Sequence, residues 1–115
     1  MPVKTTRIVD IEKVEKYMIS HIHQRIRIID LATRFNVSES FLRKNFKQDY
    51  GITIHQYLLQ KSMEYAATAI AEGEAIVSIA FRLGYIYPGS FSRAFKNVHQ
   101  VAPEHYKRQK IIGFV

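Results

Sequence analysis

Apolar residues recur at three- and four-residue steps along most of this chain of 115 residues, a spacing typical of amphipathic α-helices. One such stripe predicts a first helix over residues 8–23, with charged side chains along its outer side. Further stripes predict a short helix over 28–35 and another helix that begins after Ser38. Only Asn36 and Val37 separate these two helices, so the pattern predicts a short helix, a tight turn and a second helix.

The stretch 38–47 has one mainly apolar side and one cationic side when it is drawn as a helix. Its inner side carries Phe41, Leu42, Asn45 and Phe46, and its outer side carries Ser40, Arg43, Lys44 and Lys47. Ser38 supplies an oxygen that can cap the first backbone N–H groups. In a helix-turn-helix the second helix enters the DNA major groove. An ordinary surface helix with a solvated basic face has the same pattern, so this stretch alone does not decide between the two.

The rest of the chain repeats this arrangement after one long helix. Gly51 can end the first copy in a left-handed conformation, and Thr53 can cap a helix over 54–71 about 27 Å long. The further predicted elements are a short helix over 76–83, a turn over 84–87, a cationic helix over 88–98, a short helix over 103–109 and an apolar tail at 111–115. Pro88 stands in the first turn of its helix, where proline is favourable.

Matching residues return at a nearly fixed offset, which indicates an internal repeat. The pairs are Ala32 with Ala80, Phe46-Lys47 with Phe95-Lys96, and Tyr57 with Tyr106. The first pair is 48 positions apart and the other two are 49 apart, so the second turn is one residue longer. We therefore predict an all-α chain of about seven helices, with two helix-turn-helix units joined by a long linker helix.

The predicted domain organisation follows from these elements. Residues 1–7 show no periodicity and are expected to be a flexible start or the end of a linker. The predicted segments are a first helix-turn-helix subdomain at 8–53, the linker helix at 54–71, a second subdomain at 72–110 and the apolar tail at 111–115.

Composition narrows the function classes. A net charge of +7 and a pI near 9.8 favour a polyanionic partner, with nucleic acid first and an anionic membrane surface second. The chain has no cysteine, which excludes disulfides and thiol nucleophiles. The five histidines lack metal-ligand spacing, and no phosphate loop, nucleophile elbow or acid pair is present, so we expect no enzyme activity, metal or cofactor. No apolar run reaches ~20 residues, so no membrane helix is predicted and a cytoplasmic setting is expected.

The chain resembles the DNA-binding region of the AraC/XylS family of bacterial transcription regulators from about residue 8 to residue 108. In the first half the matching residues are Leu31-Ala32, Ser38, Leu42, Phe46-Lys47, Gly51, Tyr57-Leu58 and Ala66. In the second half they are Ile76, Ile79-Ala80, Gly84-Tyr85, Phe91-Ser92-Arg93, Phe95-Lys96, Pro103 and Tyr106. The chain departs from the family at Lys44, Ser62 and Lys107, where arginine is usual, at Gln100, where glycine is usual, and at Ala102, where serine is usual. The stretch 87–90 also lacks the longer polar side chains that are commoner there.

The resemblance implies a monomeric module that binds double-stranded DNA with two recognition helices in successive major-groove segments. Carried over by position, the candidates for base-edge contact are Ser40, Arg43 and Lys44 in the first unit and Pro88, Gly89, Ser90 and Arg93 in the second. The candidates for phosphate contact are Ser38, Lys47, Ser92, Lys96 and Lys107. Arg43 and Arg93 can each offer two donors to guanine O6 and N7. Pro88 and Gly89 have no side-chain donor, so Arg93 is expected to dominate in the second unit.

The resemblance further implies regulation of transcription, with an activator role through contact with RNA polymerase. Relatives often carry an N-terminal effector-sensing domain, so a missing domain of that kind is a second expected partner. The alternative from another class is a helical protein-interaction domain whose basic face is incidental.

Overall fold

The computed structural model describes residues 9–111 as seven α-helices joined by short turns. The helices are α1 (Ile11–Ser20), α2 (Ile28–Phe35), α3 (Glu39–Tyr50), α4 (Ile54–Ala71), α5 (Ile76–Arg82), α6 (Pro88–His99) and α7 (Pro103–Ile111). The predicted all-α class and the helix count are thereby confirmed for these residues. The predicted flexible start at 1–7, Ile8 and the tail residues 112–115 lie outside the described residues.

Five predicted helix bounds need correction. The first helix begins at Ile11 rather than at residue 8, with the side chain of Asp10 as its cap, and the helix predicted over 76–83 ends at Arg82. The first helix ends at Ser20 rather than at residue 23. The backbone N–H groups of His21 and Ile22 donate to carbonyls three residues back, which tightens the last turn, and the Ser20 hydroxyl donates to the carbonyl of Tyr17. Ile19, an apolar residue near this end of the helix, is 42% exposed. The other two helices are longer than predicted: α6 continues to His99, and α7 includes Ile111, the first residue of the predicted tail.

The structure divides into two compact units, and each has its own core. Within the described residues, the first unit comprises 9–22 and 26–58, and the second comprises 23–25 and 59–111. Helix α4 therefore contributes residues 54–58 to the first unit and 59–71 to the second. The domain boundaries drawn from the sequence, with a separate linker helix at 54–71, stay a prediction.

The core of the first unit is apolar and lies beneath α3. Its buried residues are Ile11, Val14, Met18, Leu31, Ala32, Leu42, Phe46, Ile54 and Leu58. Burial of an aliphatic or aromatic side chain of this size stabilises a fold by about 1.5–3 kcal/mol. Leu42 and Phe46 are the two fully buried residues of α3, and their burial fixes which face of that helix remains outside.

The second unit repeats this design beneath α6. Its buried residues are Met63, Ala66, Ala67, Ala69, Ile70, Ile79, Ala80, Leu83, Phe91 and Phe95. Phe91 and Phe95 lie one turn apart on α6 and correspond to Leu42 and Phe46 of α3. The four-residue spacing of each pair keeps one face of each helix against its own core.

The repeat extends to the geometry of the aromatic rings. In the first unit, the ring of Phe46 packs edge-on against Tyr57 with centroids 5.1 Å apart, at an interplanar angle of 69°. In the second unit, Phe95 packs against Tyr106 at 5.5 Å and 66°. Edge-to-face contacts of this kind contribute about 0.5–1.5 kcal/mol beyond the burial of surface. The two aromatic pairs that revealed the repeat in the sequence therefore make the same contact in the fold.

Left-handed backbone positions also recur in the two units. The turn after α2 passes through Asn36 at φ 55°, and the turn after α5 passes through Gly84 at φ 90°. Helices α3 and α6 also end in the same way, α3 at Gly51 with φ 79° and α6 at Gln100 with φ 70°. Glycine adopts this conformation without steric cost, whereas an L residue with a Cβ pays about 1–2 kcal/mol. Gln100 is thus a strained C-cap, at the position where the sequence departs from glycine.

We predict that Gln100→Gly stabilises the protein by about 1 kcal/mol, because the left-handed strain at φ 70° disappears. Gln60→Gly is the matched control, since Gln60 lies on the exposed side of α4 in ordinary helical conformation. The control is expected to lose about 1 kcal/mol. Urea unfolding followed by circular dichroism measures both changes, and equal losses in the two variants would contradict the assigned strain.

A carboxylate holds the aromatic residues of the first unit together. The hydroxyl of Tyr50 donates to Glu15 Oε1 at 3.4 Å, and the hydroxyl of Tyr57 donates to Glu15 Oε2. Burial, followed by the charge of Glu15, raises the pKa of Tyr50 from 10.0 to about 12. The neutral phenol is therefore the form that the folded protein favours.

This shift gives an alkaline stability prediction. Below pH 10 Tyr50 is protonated in both states, so its contribution to stability is complete. Between pH 10 and about 12 the unfolded chain loses the proton and the folded protein keeps it, so stability falls with rising pH. Tyr50→Phe should reduce this fall by on the order of 1 kcal/mol, after allowance for partial exposure. Urea unfolding at neutral pH and near pH 11 measures the effect, with the exposed Tyr87→Phe as control; identical slopes for all three proteins would contradict it.

Candidate nucleic-acid interface

The outer face of α3 is exposed and cationic, as its sequence pattern predicts. Ser40, Arg43, Lys44 and Lys47 are all exposed there. Arg43 Nη2 lies 2.9 Å from Glu39 Oε1, one turn earlier, so its guanidinium is already engaged by a carboxylate. Lys44 and Lys47 form no ion pair with another described residue. Their ammonium groups are therefore available to an anionic partner.

Ser38 begins α3 in the manner predicted from the sequence. Its Oγ accepts a hydrogen bond from the backbone N–H of Phe41 at 3.0 Å, which satisfies one of the first free donors of the helix. Thr53 and Gln56 start α4 by a reciprocal version of the same bond, with both donor–acceptor distances at 3.0 Å. The starts of α3 and α4 are therefore capped by side-chain oxygens. Ser38, a predicted phosphate contact, is already committed as a cap through one of its lone pairs.

An open groove of about 670 Å³ runs beside the cationic face of α3 within the first unit. Its floor includes Ile28 and Ile54, and Arg43, Lys44 and Lys47 line it together with Gln48, Thr53 and His55. His55 and Gln48 were not among the predicted site residues. His55 lies in the first turn of α4, and the path of the chain between α3 and α4 brings it beside α3, so the sequence pattern gave no signal for it.

The outer face of α6 carries fewer cations than that of α3. Arg93 and Lys96 are exposed, and neither forms an ion pair with another described residue. Arg93 Nη2 donates to Ser90 Oγ at 3.5 Å, and its Nη1 lies 3.5 Å from where a Cβ on Gly89 would stand. The guanidinium of Arg93 therefore lies alongside the first turn of α6.

Pro88 and Gly89 are exposed, whereas three other predicted residues of the second unit are less exposed. Ser90 and Ser92 are half-buried, and Ser92 lines an apolar groove of about 410 Å³ between α5, the start of α6 and Glu104 of α7. Lys107 is half-buried on α7. The structure thus brings Ser90 and Arg93 together, and it places Ser92 beside a different surface.

Arg82 is a cation with a structural role. Its Nη2 donates to Glu74 Oε1 at 2.6 Å and its Nη1 donates to the hydroxyl of Tyr65, which ties α5 to the end of α4. The hydrogen bond to Glu74 raises the pKa of Arg82 above its ordinary value.

His99 also has a structural role in the second unit. His99 Nε2 lies 2.8 Å from the carbonyl oxygen of Met63, so this nitrogen carries the proton and donates. The ring of His99 packs on Phe95 with centroids 4.4 Å apart. Within residues 9–111, no group of three or more potential ligands is arranged to hold a metal ion, and no helix is long and apolar enough to cross a bilayer.

Comparison with known proteins identifies the family to which this architecture belongs. The family model described as "Helix-turn-helix domain" matches residues 31–109, and known structures of AraC-type DNA-binding domains share the fold. The chain belongs to the AraC/XylS family of DNA-binding transcription regulators. The resemblance seen in the sequence is confirmed.

Two relatives show how similar the chain is to known regulators in sequence. The chain is 30% identical over 95 residues to the probable transcriptional regulator LumQ of Photobacterium leiognathi, a match that covers 82% of this chain and 38% of that protein. It is 27% identical over 100 residues to the Msm operon regulatory protein of Streptococcus mutans, covering 86% of this chain and 36% of that one. The chain therefore spans little more than a third of the length of these relatives.

Solved structures agree with the fold. The C-terminal domain of AraT, a response regulator from Geobacillus stearothermophilus, is 32% identical with a TM-score of 0.81, and the match covers 94% of this chain and 92% of that one. The DNA-binding domain of AdpA, solved in complex with a target DNA, has a TM-score of 0.74 at 20% identity. The match to AdpA covers 86% of this chain and 92% of that domain.

Proposed function

We propose that the chain binds double-stranded DNA in a sequence-specific manner, with α3 and α6 as recognition helices in successive major-groove segments. The single observation that carries this proposal is the duplicated packing, in which each helix buries its inner face and leaves a cationic outer face exposed. Membership of a DNA-binding family supports it, and so does the net charge of +7.

The outer faces of α3 and α6 offer two kinds of contact. Arg43 and Arg93 are proposed to reach base edges, where a guanidinium can donate to guanine O6 and N7 together. Ser40, Lys44 and Ser90 are further candidates for base contact. The proposed phosphate contacts are Ser38, Lys47, Ser92, Lys96 and Lys107. Phosphate contacts fix register and orientation, and base contacts supply sequence preference.

The two arginines differ in what DNA must displace. Arg43 holds the carboxylate of Glu39 at 2.9 Å, so a guanine has to compete with a charged partner. Arg93 holds only the neutral hydroxyl of Ser90 at 3.5 Å. A guanidinium is held more strongly by a carboxylate at 2.9 Å than by an uncharged hydroxyl at 3.5 Å, because only the first pair has two opposite charges and the shorter distance. Arg93 is therefore the more readily available base-reading group of the two.

Regulation of transcription, with an activator role through contact with RNA polymerase, extends this proposal. Other parts of the proposal are a cytoplasmic setting, a monomeric DNA-binding module and an N-terminal effector-sensing domain as partner. The competing function is a helical protein-interaction domain. It draws support from Val77 and Phe81 on α5, whose side chains are 68% and 79% exposed.

A fluorescence titration of labelled duplexes at low and moderate salt separates these two functions. The affinity of DNA binding through several phosphate contacts falls steeply as the salt concentration rises. At each salt concentration, the affinity for a duplex with the specific site is higher than the affinity for a random duplex. Absence of binding to any duplex at low salt would reject the DNA-binding proposal and leave the protein-interaction function.

Arg93→Ala is expected to weaken binding to the preferred site by about 1–3 kcal/mol and to relax the preference at one base position. Lys47→Ala should instead weaken binding to all duplexes alike and reduce the salt slope by about one. The two variants are matched because each removes one exposed cation from the outer face of a recognition helix.

Titration of each variant with the preferred duplex and with a scrambled duplex measures the difference. Equal losses on both duplexes for Arg93→Ala would remove its base-reading role and assign it to phosphate. Unchanged circular dichroism spectra establish that the helices are intact in both variants.

A further inference from the structure

The two recognition helices differ most at their first residues. Helix α3 opens with Ser38, Glu39 and Ser40, and the equivalent positions of α6 are Tyr87, Pro88 and Gly89. The polar opening of the first copy is thus replaced by residues without a charge or a short hydroxyl. The buried Phe46 and Phe95 and their edge-packed tyrosines are retained in both copies. The opening of α6 is therefore one of the surface regions at which the two copies differ.

The fold itself does not require these residues. Tyr87 is the N-cap residue, yet its side chain makes no capping hydrogen bond and is 71% exposed. Ile86 before it is 82% exposed, and Pro88 is exposed as well. Gly89 lies in the first helical turn without a positive φ, and a Cβ there would meet only Arg93 Nη1 at 3.5 Å. Serine or aspartate at the cap, and alanine at position 89, would stabilise this helix better.

Arg93 borders this apolar surface on one side, and on the other side Ile86 and Pro88 line a groove together with Phe81 and Glu104. The guanidinium of Arg93 lies along the first turn of α6, within 3.5 Å of Ser90 Oγ and beside Gly89. Arg93 and Lys96 form no ion pair with another described residue, so the apolar surface borders available positive charge. An apolar surface beside available positive charge favours a polyanion over an apolar protein surface as the partner.

The DNA major groove presents one apolar group, the C5-methyl of thymine. The N-terminal residues of a recognition helix are the ones that approach base edges. If Arg93 donates to a guanine, the adjacent base pair lies beside the first turn, where Tyr87 and Pro88 offer ring carbons and no side-chain fork of donors. A thymine methyl at that base pair would remove apolar surface from water on both sides.

We infer that the second unit reads a thymine methyl group next to the guanine contacted by Arg93, through the exposed rings of Tyr87 and Pro88. This inference rests on the proposed function, because it names the base-pair chemistry that α6 selects. The second unit thus reads sequence by methyl contact as well as by hydrogen bonding, in contrast to the polar opening of α3.

The test replaces thymine by deoxyuracil, which removes the methyl group and keeps every hydrogen-bonding group of the base. The duplex carries the preferred site of the full chain. Within that site, the base positions at which Arg93→Ala loses its sequence preference are called the second block, because they are the ones assigned to the second unit. At one thymine in or beside that block, wild-type protein should bind the deoxyuracil duplex about fourfold more weakly, the factor that corresponds to burial of one methyl group.

Two variants locate the contact on the protein. Tyr87→Ser and Pro88→Ser should bind the thymine and deoxyuracil duplexes equally well. Tyr87→Ser supplies a helix cap that wild type lacks, so it is expected to fold at least as stably. Val77→Ser is the matched control, because Val77 is 68% exposed on α5 and precedes the recognition helix. It should keep the fourfold discrimination.

The possible outcomes separate this inference from the proposed function. Sequence-specific binding without any thymine-to-deoxyuracil effect, or a second block without thymine, overturns the inference while DNA binding stands, and assigns the exposed apolar surface to a protein partner. Discrimination that persists in both Tyr87→Ser and Pro88→Ser overturns it as well. Absence of any sequence preference in the wild-type chain rejects both proposals together.

Discussion

The edge-to-face contact that a phenylalanine of α3 and a phenylalanine of α6 each make with a tyrosine farther along the chain is the constraint on which the rest of this structure depends. Phe46 meets Tyr57 and Phe95 meets Tyr106 with similar separations and angles. Each contact fixes the rotation of its helix about the helix axis, because a phenylalanine that leaves the core forfeits burial and ring packing together. Because the rotation of each helix is fixed, the residues on the side opposite the buried phenylalanine face the solvent. The cationic surfaces of α3 and α6 are consequences of this internal packing.

The two units diverge where packing does not constrain them. Tyr50 and Glu15 brace the aromatic residues of the first unit through a carboxylate. In the second unit His99 occupies the position of Tyr50 and donates to a backbone carbonyl instead. Gly51 ends α3 without strain, whereas Gln100 ends α6 in the same left-handed conformation at a cost. The buried contacts are shared, and the solvent-facing caps and helix starts have changed separately.

Much of this fold was predictable because helical periodicity is a local signal. The bounds of α2 and α4 agree with those drawn from the apolar stripes, from the break in the pattern at Asn36 and from the cap at Thr53. The end predicted for α1 was wrong, since its last turn is tightened by hydrogen bonds from His21 and Ile22 to carbonyls three residues back, which no apolar stripe encodes. The ion pair between Glu39 and Arg43 was missed although its four-residue spacing is a recognisable signal. The place of His55 beside the cationic face of α3 depends on the tertiary path of the chain, which sequence spacing does not give.

Selection of bound duplexes from a random pool tests most directly whether both copies of this packing present a reading surface. The account predicts two separate blocks of preferred bases about one helical turn apart. Arg43→Ala should erase preference in one block and Arg93→Ala in the other. A single block, or two variants that affect the same positions, would contradict the account.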